Sequence, residues 1–336
     1  MYLLSDDRTD KEFKKISFSG FERKDVLRAL KQQIEKKDPV TTSRWVVECH
    51  TSGWVSELFD FYEQYAIQEI GVGNPRLYSY LRERREDVRR IISGKHSFIQ
   101  TRNDGQMRYI LIEIAMVLLY SQHRQIPKIV KLREDDFNQE GMLHRLMFYG
   151  RSFQEEYWNE DDPNSLKGVF NELIGSLRGR LLDSVMFWMS WIRMWEEMKG
   201  VMPMKDAPET CPVVLRSWFG WKIWRIFLRE SKSRLVDVIY NLSIRDIKAS
   251  NKKFREDSLI LAAMILCEGV DEKRPLVVDM ERVMTACNSD VTDRLYKEAV
   301  RDRDRHYAKL GIGALTASEM EEAAASASAS AESSTA

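Results

Sequence analysis

The chain has 336 residues and a mass of 39.5 kDa, enough for two domains of ordinary size and for a core that hides roughly three quarters of the unfolded surface. A hydrophobic share of 43% and an aromatic share of 10% exclude wholesale disorder. Lys plus Arg number 52 and Asp plus Glu number 52, and this zero net charge excludes a dedicated DNA-coating protein, which needs surplus cations to neutralise phosphates.

Only 16 Gly and 8 Pro occur where average usage would place roughly 40, so turns are sparse and long helices are expected. Ser19 and Glu22 have the spacing of a capping box, and Val26, Leu27, Leu30 and Ile34 then fall on one helical face before Asp38-Pro39 ends the helix. Thr42 or Ser43 is placed to cap a second helix that buries Trp45, Val46 and Cys49 and closes at Gly53. A third, from about residue 56, buries Leu58, Phe59, Tyr62 and Tyr65 until Gly71-Val72-Gly73-Asn74-Pro75 breaks it. Turns this short require antiparallel neighbours, as in a helical bundle or a short solenoid.

Apolar helices follow at 107–122 and 141–149, separated by acidic segments at Glu134-Asp135-Asp136 and later Glu160-Asp161-Asp162. The stretch 181–195 carries Trp188, Trp191 and Trp195 at i, i+3 and i+7, on one helical face. Pro203, Pro208 and Pro212 interrupt 200–212, after which Trp218, Trp221 and Trp224 recur in helical steps. That interruption is the expected border between an N-terminal helical domain, 1–200, and a C-terminal one, 213–310. Helices at 257–267 and 291–309 complete an all-α chain with no run of alternating strands. The Ala/Ser-rich 311–336 has no apolar face to bury, and a flexible tail is expected there, ordered only by a neighbour.

The four cysteines, Cys49, Cys211, Cys267 and Cys287, include no Cys-x-x-Cys pair, which fits free thiols in a reducing compartment. Residues 1–5 lack the basic start and apolar run of a secretory signal, and the most apolar stretch, 109–120, contains Glu113 and is too short to span a membrane. Gly175-Ser176-Leu177-Arg178-Gly179 lacks the lysine and the preceding strand of a phosphate loop, and Gly71-x-Gly73 follows a helix rather than a strand. No nucleotide cofactor is expected. The histidines, His50, His96, His123, His144 and His306, are scattered one per element. Cys49 and His50 diverge by about 100° on a helix, so the pair suits neither a metal nor a nucleophile. Cys49 is expected in the core and His50 at a helix end, where a cation meets the dipole favourably. No catalytic, cofactor-binding or metal-binding residue is assigned, and the chain is not expected to be an enzyme.

Two patches have the composition of a nucleic-acid surface. One carries Arg82, Arg84, Arg85, Arg89, Arg90 and Lys95 among Glu83, Glu86 and Asp87; the other carries Lys222, Arg225, Arg229, Lys232 and Arg234 against Glu230, with aromatics interleaved. Positive charge with stacking holds single strands. Each patch also reads as a solvated helix face, and its tryptophans as core or interface filling. Tryptophan and arginine dominate interface hot spots, so the candidate interaction residues are Trp188, Trp191, Trp195, Trp218, Trp221, Trp224, Arg82, Arg85, Arg89, Arg225 and Arg229. The 181–195 helix also suits a membrane-surface contact, although Asp183 and Arg193 exclude its burial in lipid.

The run Phe18-Ser-Gly-Phe-Glu-Arg-Lys-Asp25-Val26-Leu27-Arg-Ala29-Leu30, then Arg44-Trp45-Val-Val-Glu48-Cys49-His-Thr-Ser52-Gly53 and Asn74-Pro75, resembles a family of helix-rich proteins encoded by large nucleocytoplasmic DNA viruses, including those of algae. It is also similar to the collar-type helical domain of clamp loaders and related AAA+ proteins, without their ATPase module. The resemblance covers about the first quarter of the chain and transfers no catalytic residue. It implies a viral setting and a collar-like N-terminal region that serves as a packing surface. The function expected from it is a structural virion component, a minor capsid protein bound to other capsid proteins or to further copies of itself, located in the virion and in the host cytoplasm during assembly. The alternative is a viral replication or nucleic-acid-binding accessory factor without ATPase activity; a third is a non-catalytic regulator of host proteins.

Overall fold

The computed structural model describes residues 2–6, 8–95, 97–130, 132–137, 139–199, 205–245 and 249–309. The tail expected at 311–336 lies outside them. Among the described residues the fold is all-α, with fourteen α-helices, no strand, and one isolated antiparallel bridge between Ile16 and Glu22. Contacts gather the chain into two units. The first takes residues up to Tyr65, Tyr80–Ser121 and those from Pro275 on; the second takes Ala66–Ser79 and Gln122–Arg274. The border expected at 200–212 therefore falls inside the second unit. Helices on either side of it pack on a common partner, and the last helices of the chain return to the first unit.

The first unit begins with α1 (Arg23–Lys36), α2 (Pro39–Thr51) and α3 (Val55–Tyr65), and α4 (Leu77–Ser93) enters it at Tyr80. Then come α5 (Phe98–Arg102), α6 (Gly105–Tyr120) and, after the second unit, α13 (Met280–Ala286) and α14 (Ser289–Lys309). Val26, Leu30 and Ile34 line the buried stripe of α1 as their spacing predicts. The Ser19–Glu22 capping box does not form: Glu22 makes no side-chain cap, and the Ser19 N–H and hydroxyl instead donate to buried Glu48 at 2.7 and 2.8 Å. Between them Gly20 turns at φ 92°, where a Cβ would sit 2.4 Å from the His306 ring, so only glycine fits. Asp38-Pro39 starts a helix rather than merely ending one. Asp38 caps α2 through the Val40 and Thr41 amides, Pro39 occupies its first turn, and Thr42 and Ser43, expected as caps, are buried inside it.

In α3, Leu58, Phe59, Tyr62 and Tyr65 are buried as expected, and the helix passes into a wider turn at Ala66–Ile70 and a tight one at Gly71–Gly73 before Pro75. Asp104 caps α6 through the Met107 amide, and the helix is apolar nearly all round and central to its unit. Each buried Leu, Ile or Val there contributes about 1.5–3 kcal/mol. It packs against α2 and α13, while α2 also packs against α1 and α14.

The second unit contains α7 (Gln139–Leu143), α8 (Lys167–Arg178), α9 (Leu182–Lys199), α10 (Gly220–Glu230), α11 (Arg234–Ile244) and α12 (Lys252–Glu268). α12, buried from Ser258 to Ile265, is the hub on which α8, α9, α10 and α11 pack. The helix expected at 141–149 stops at Leu143. Beyond it the Met147 and Phe148 amides donate to the buried carboxylate of Glu172 on α8, at 2.8 and 2.9 Å, in place of helical carbonyls. Asn171 fixes the same loop by donating to the Phe148 carbonyl and accepting from the Phe153 amide. The Phe148 ring fills the place of a side chain at Gly175, where a Cβ would lie 2.4 Å from it. Gly175, read in the sequence as part of a failed phosphate loop, is thus a packing glycine inside α8.

Candidate functional site

A cleft of about 720 Å³ opens in the first unit between the start of α2, α13, the first half of α14 and Tyr120 at the end of α6. The local chemistry of each element explains its place. Pro39 and Val40 stand at the α2 start because the Asp38 cap holds the chain there, and Thr41's hydroxyl and amide keep the Asp38 carboxyl below the usual carboxylate range. Asp279 caps α13 through the Arg282 amide and pairs with the Arg282 side chain at 2.9 Å. Leu295 anchors α14 in the core. Pro39, Val40, Ala286, Val291 and Leu295 form the apolar lining, and Asp279, Glu281, Arg282, Arg294 and Glu298 supply charges of both signs. Glu281 and Arg294 make no ion pair among the described residues, so their charges face solvent. Neither the cleft nor its residues stood among the sequence candidates: residues near 40, 120, 285 and 295 carry no motif, and only packing joins them.

The six tryptophans expected to contact partners are interior, none more than 9% exposed. This corrects the reading of Trp188, Trp191, Trp195, Trp218, Trp221 and Trp224 as interaction residues. Their helical spacing aims them at the core of the second unit. Trp191 stacks on Phe137 at 5.0 Å and donates to the Asp136 carbonyl, Trp195 meets Phe219 edge-on at 5.4 Å, and Trp218 meets Trp221 edge-on at 4.8 Å. Trp221 donates to the Leu215 carbonyl, and Trp224 lies against Tyr240.

The arginine candidates divide. Arg85 is buried, 2.7 Å from Asp60 and 3.6 Å from Glu63, and so is not free for a partner. Arg82 and Arg89 are exposed, Arg89 paired with Glu86 at 3.6 Å. Around them Arg84 meets Asp87 and Glu113, Arg90 meets Asp87, and Lys95 meets Asp104. In the other patch Arg225 pairs with Asp206 at 2.6 Å, and Arg229 donates to the Glu156 carbonyl. Lys222 is buried. It donates to the Tyr157 carbonyl at 2.9 Å and pairs with Asp162 and, at 3.4 Å, Asp206, joining α10 to the 157–162 and 206 loops.

His50 is fully buried, and burial depresses its pKa to about 3, so it is neutral and does not act as the cation expected at the α2 end. With only a carbonyl, that of Thr101, beside Nε2 at 3.3 Å, Nε2 carries the proton and Nδ1 accepts from the Tyr296 hydroxyl. The four cysteines are free and buried, and burial pushes the Cys267 and Cys287 thiols up to about 11 and about 12.

The second unit also holds a cavity of about 40 Å³ between α9, α10 and α12, lined by Glu196, Glu256 and Arg193 among apolar side chains. Burial raises the Glu196 carboxyl to about 7, against the attraction of Lys252 and the Phe219 amide and helped by Glu256 and Glu197; Glu256 is raised by the same cause. Arg193 and Lys252 face Glu256 at 3.6 and 3.8 Å. A carboxyl raised on folding binds its proton more tightly in the folded state, so its stabilising share is complete below the unfolded value near 4.5 and is lost as pH rises through about 7. Thermal melts from pH 4.5 to 8 should therefore show Glu196→Gln losing less stability than the parent, by roughly 1–2 kcal/mol once partial solvent screening is counted. Parallel pH profiles for the two proteins would contradict this.

Compared with protein-family models, with curated proteins and with solved structures, the chain matches none.

Proposed function

We propose that the chain is an assembly protein rather than an enzyme: a structural component of the virion of a large double-stranded DNA virus, a minor capsid protein that seats a segment of a neighbouring capsid protein, or of another copy of itself, in the cleft between α2, α13 and α14. The observation that carries this reading is the anatomy of the cleft, an apolar lining edged by charges of both signs. That is how protein interfaces are built, with a desolvated centre and a polar rim that fixes register. The viral setting, with residence in the virion and in host cytoplasm during assembly, rests on the resemblance of the 18–75 region. Zero net charge favours close packing among neighbours.

The nucleic-acid alternative asks for cations free to meet phosphates. Arg84, Arg85, Arg89, Arg90, Lys95, Lys222 and Arg225 each face a carboxylate instead, which leaves only Arg82, Arg229, Lys232 and Arg234 of the two patches exposed without an ion pair among the described residues and favours the assembly reading. Mass spectrometry of purified virions should find the chain at copy numbers comparable to other structural proteins. Val40→Glu with Ala286→Glu, which places two carboxylates in the cleft lining, should cut its incorporation roughly tenfold or more while leaving the fold intact. Absence from virions overturns the viral assignment, and undiminished incorporation of the double variant removes the cleft from it.

A further inference from the structure

The loop after α7 in the second unit combines a fixed backbone with outward apolar side chains. Leu143 is 60% exposed, Met147 52% and Tyr149 87%. Successive turns keep the segment compact: the Arg145 amide donates to the Met142 carbonyl, Leu146 to Leu143, and Arg151 to Phe148. Glu172 and Asn171 bind its backbone from α8, and the Phe148 ring is seated against Gly175, so the neighbours of Phe148 are held pointing away. At Gly150, φ 83°, the space around an added Cβ is open, which marks the tip as projecting. Ordering such side chains in water gains nothing by itself. A surface that receives them would meet a loop whose entropy has already been lost.

The charge of the segment selects the receiving surface. Residues 141–151 include His144, Arg145 and Arg151 and no carboxylate, the nearest in sequence being Glu140 at the start of α7. The turn packed on α7 carries Glu134, Asp135 and Asp136, and Asp136 accepts from the Arg133 amide. Arg145 leans over the Phe187 ring at 4.6 Å with its charge exposed, and Arg151 has no ion-pair partner among the described residues. A protein partner would need a hollow matched to three projecting side chains, whereas a lipid interface deforms around them. Tyrosine, with an apolar ring and a hydroxyl tip, is enriched at that interface, and arginine and histidine draw anionic headgroups toward it. Among the described residues no helix is long and apolar enough to cross a membrane, so the contact at issue is peripheral.

We propose that residues 143–151 form a peripheral anchor that seats Leu143, Met147 and Tyr149 in an anionic lipid surface, with Arg145 and Arg151 at the headgroups. The inference stands apart from the capsid reading and survives or fails without it. The test is sedimentation of the full chain with phosphatidylcholine vesicles and with vesicles carrying about 30% phosphatidylserine. The chain should pellet with the anionic vesicles and release as salt is raised. Leu143→Ser, Met147→Ser and Tyr149→Ser combined should lower the bound fraction at least tenfold with an unchanged circular dichroism melt, and Arg151→Gln should lower it severalfold. As a second measurement, Tyr149→Cys labelled with an environment-sensitive dye should shift its emission to the blue on the anionic vesicles; the four native cysteines are buried. No pelleting with either vesicle, equal binding by the triple variant, or capture by an acidic protein without any vesicle binding overturns the proposal, the last in favour of protein docking.

Discussion

Lys222→Met is expected to destabilise the second unit by about 3–5 kcal/mol, the usual cost of breaking a buried ion pair from one side. Lys222, Asp162 and Asp206 have side chains only 1%, 5% and 2% exposed. With the ammonium gone, Asp206 keeps Arg225 at 2.6 Å, but Asp162 keeps only the Asn159 amide. An uncompensated carboxylate is then either left in a dry site or must take up a proton. The loss should shrink in acid and should be partly reversed by adding Asp162→Asn, which removes the orphaned charge. Seven of the nine tryptophans lie in the second unit, so denaturant titration followed by their fluorescence reads this unit in particular. A loss below about 1 kcal/mol would mean that water already reaches the two carboxylates.

Trp188→Ala should cost a comparable 3–5 kcal/mol, because a fully buried indole leaves a void that its neighbours fill only in part. The informative comparison is Trp188→Phe. The buried Trp188 indole N–H has no hydrogen-bond partner among the described residues. Phenylalanine removes that polar group while keeping the apolar bulk and the edge-on contact with Phe187 that the indole makes at 4.9 Å. Its cost should be well under half that of alanine. Equal losses in the two variants would show that shape, not the stranded N–H, governs the site.

Helical periodicity makes α1, α3 and α9 readable, since their apolar residues recur at three- and four-residue steps and bury in that pattern, whereas α6 is readable from its apolar run, which buries nearly all round. Periodicity says which face is apolar but not whether the core or a partner covers it, and for that reason the tryptophan stripes were open to two readings. α8 is hard to read from sequence because Gly168 and Gly175 look like punctuation, whereas the Phe148 ring is what requires a glycine at 175. The 141–149 segment has a helix's composition, yet a carboxylate 25 residues away competes for its amides. Short-range ion pairs such as Arg84–Asp87 follow from i, i+3 spacing; Arg85–Asp60 and Lys222–Asp162 do not, and those contacts take Arg85 and Lys222 out of the basic patches. The cleft depends on the meeting of α2 with α13 and α14, elements more than two hundred residues apart in sequence, and no local pattern encodes that.

The first unit's core is assembled from both sides of the inserted 122–274 segment, with α14 packed on α2. On the ribosome this sets an order of events. The long segment of the second unit is complete and able to collapse while the faces of α2 and α6 that meet α13 and α14 are still open to solvent, and they stay uncovered until those two helices emerge. The waiting time at several residues per second is tens of seconds, long enough for chaperones to engage α2. A nascent chain stalled with residues up to 274 outside the ribosome and none beyond would have a second unit that resists protease while its first unit is cut.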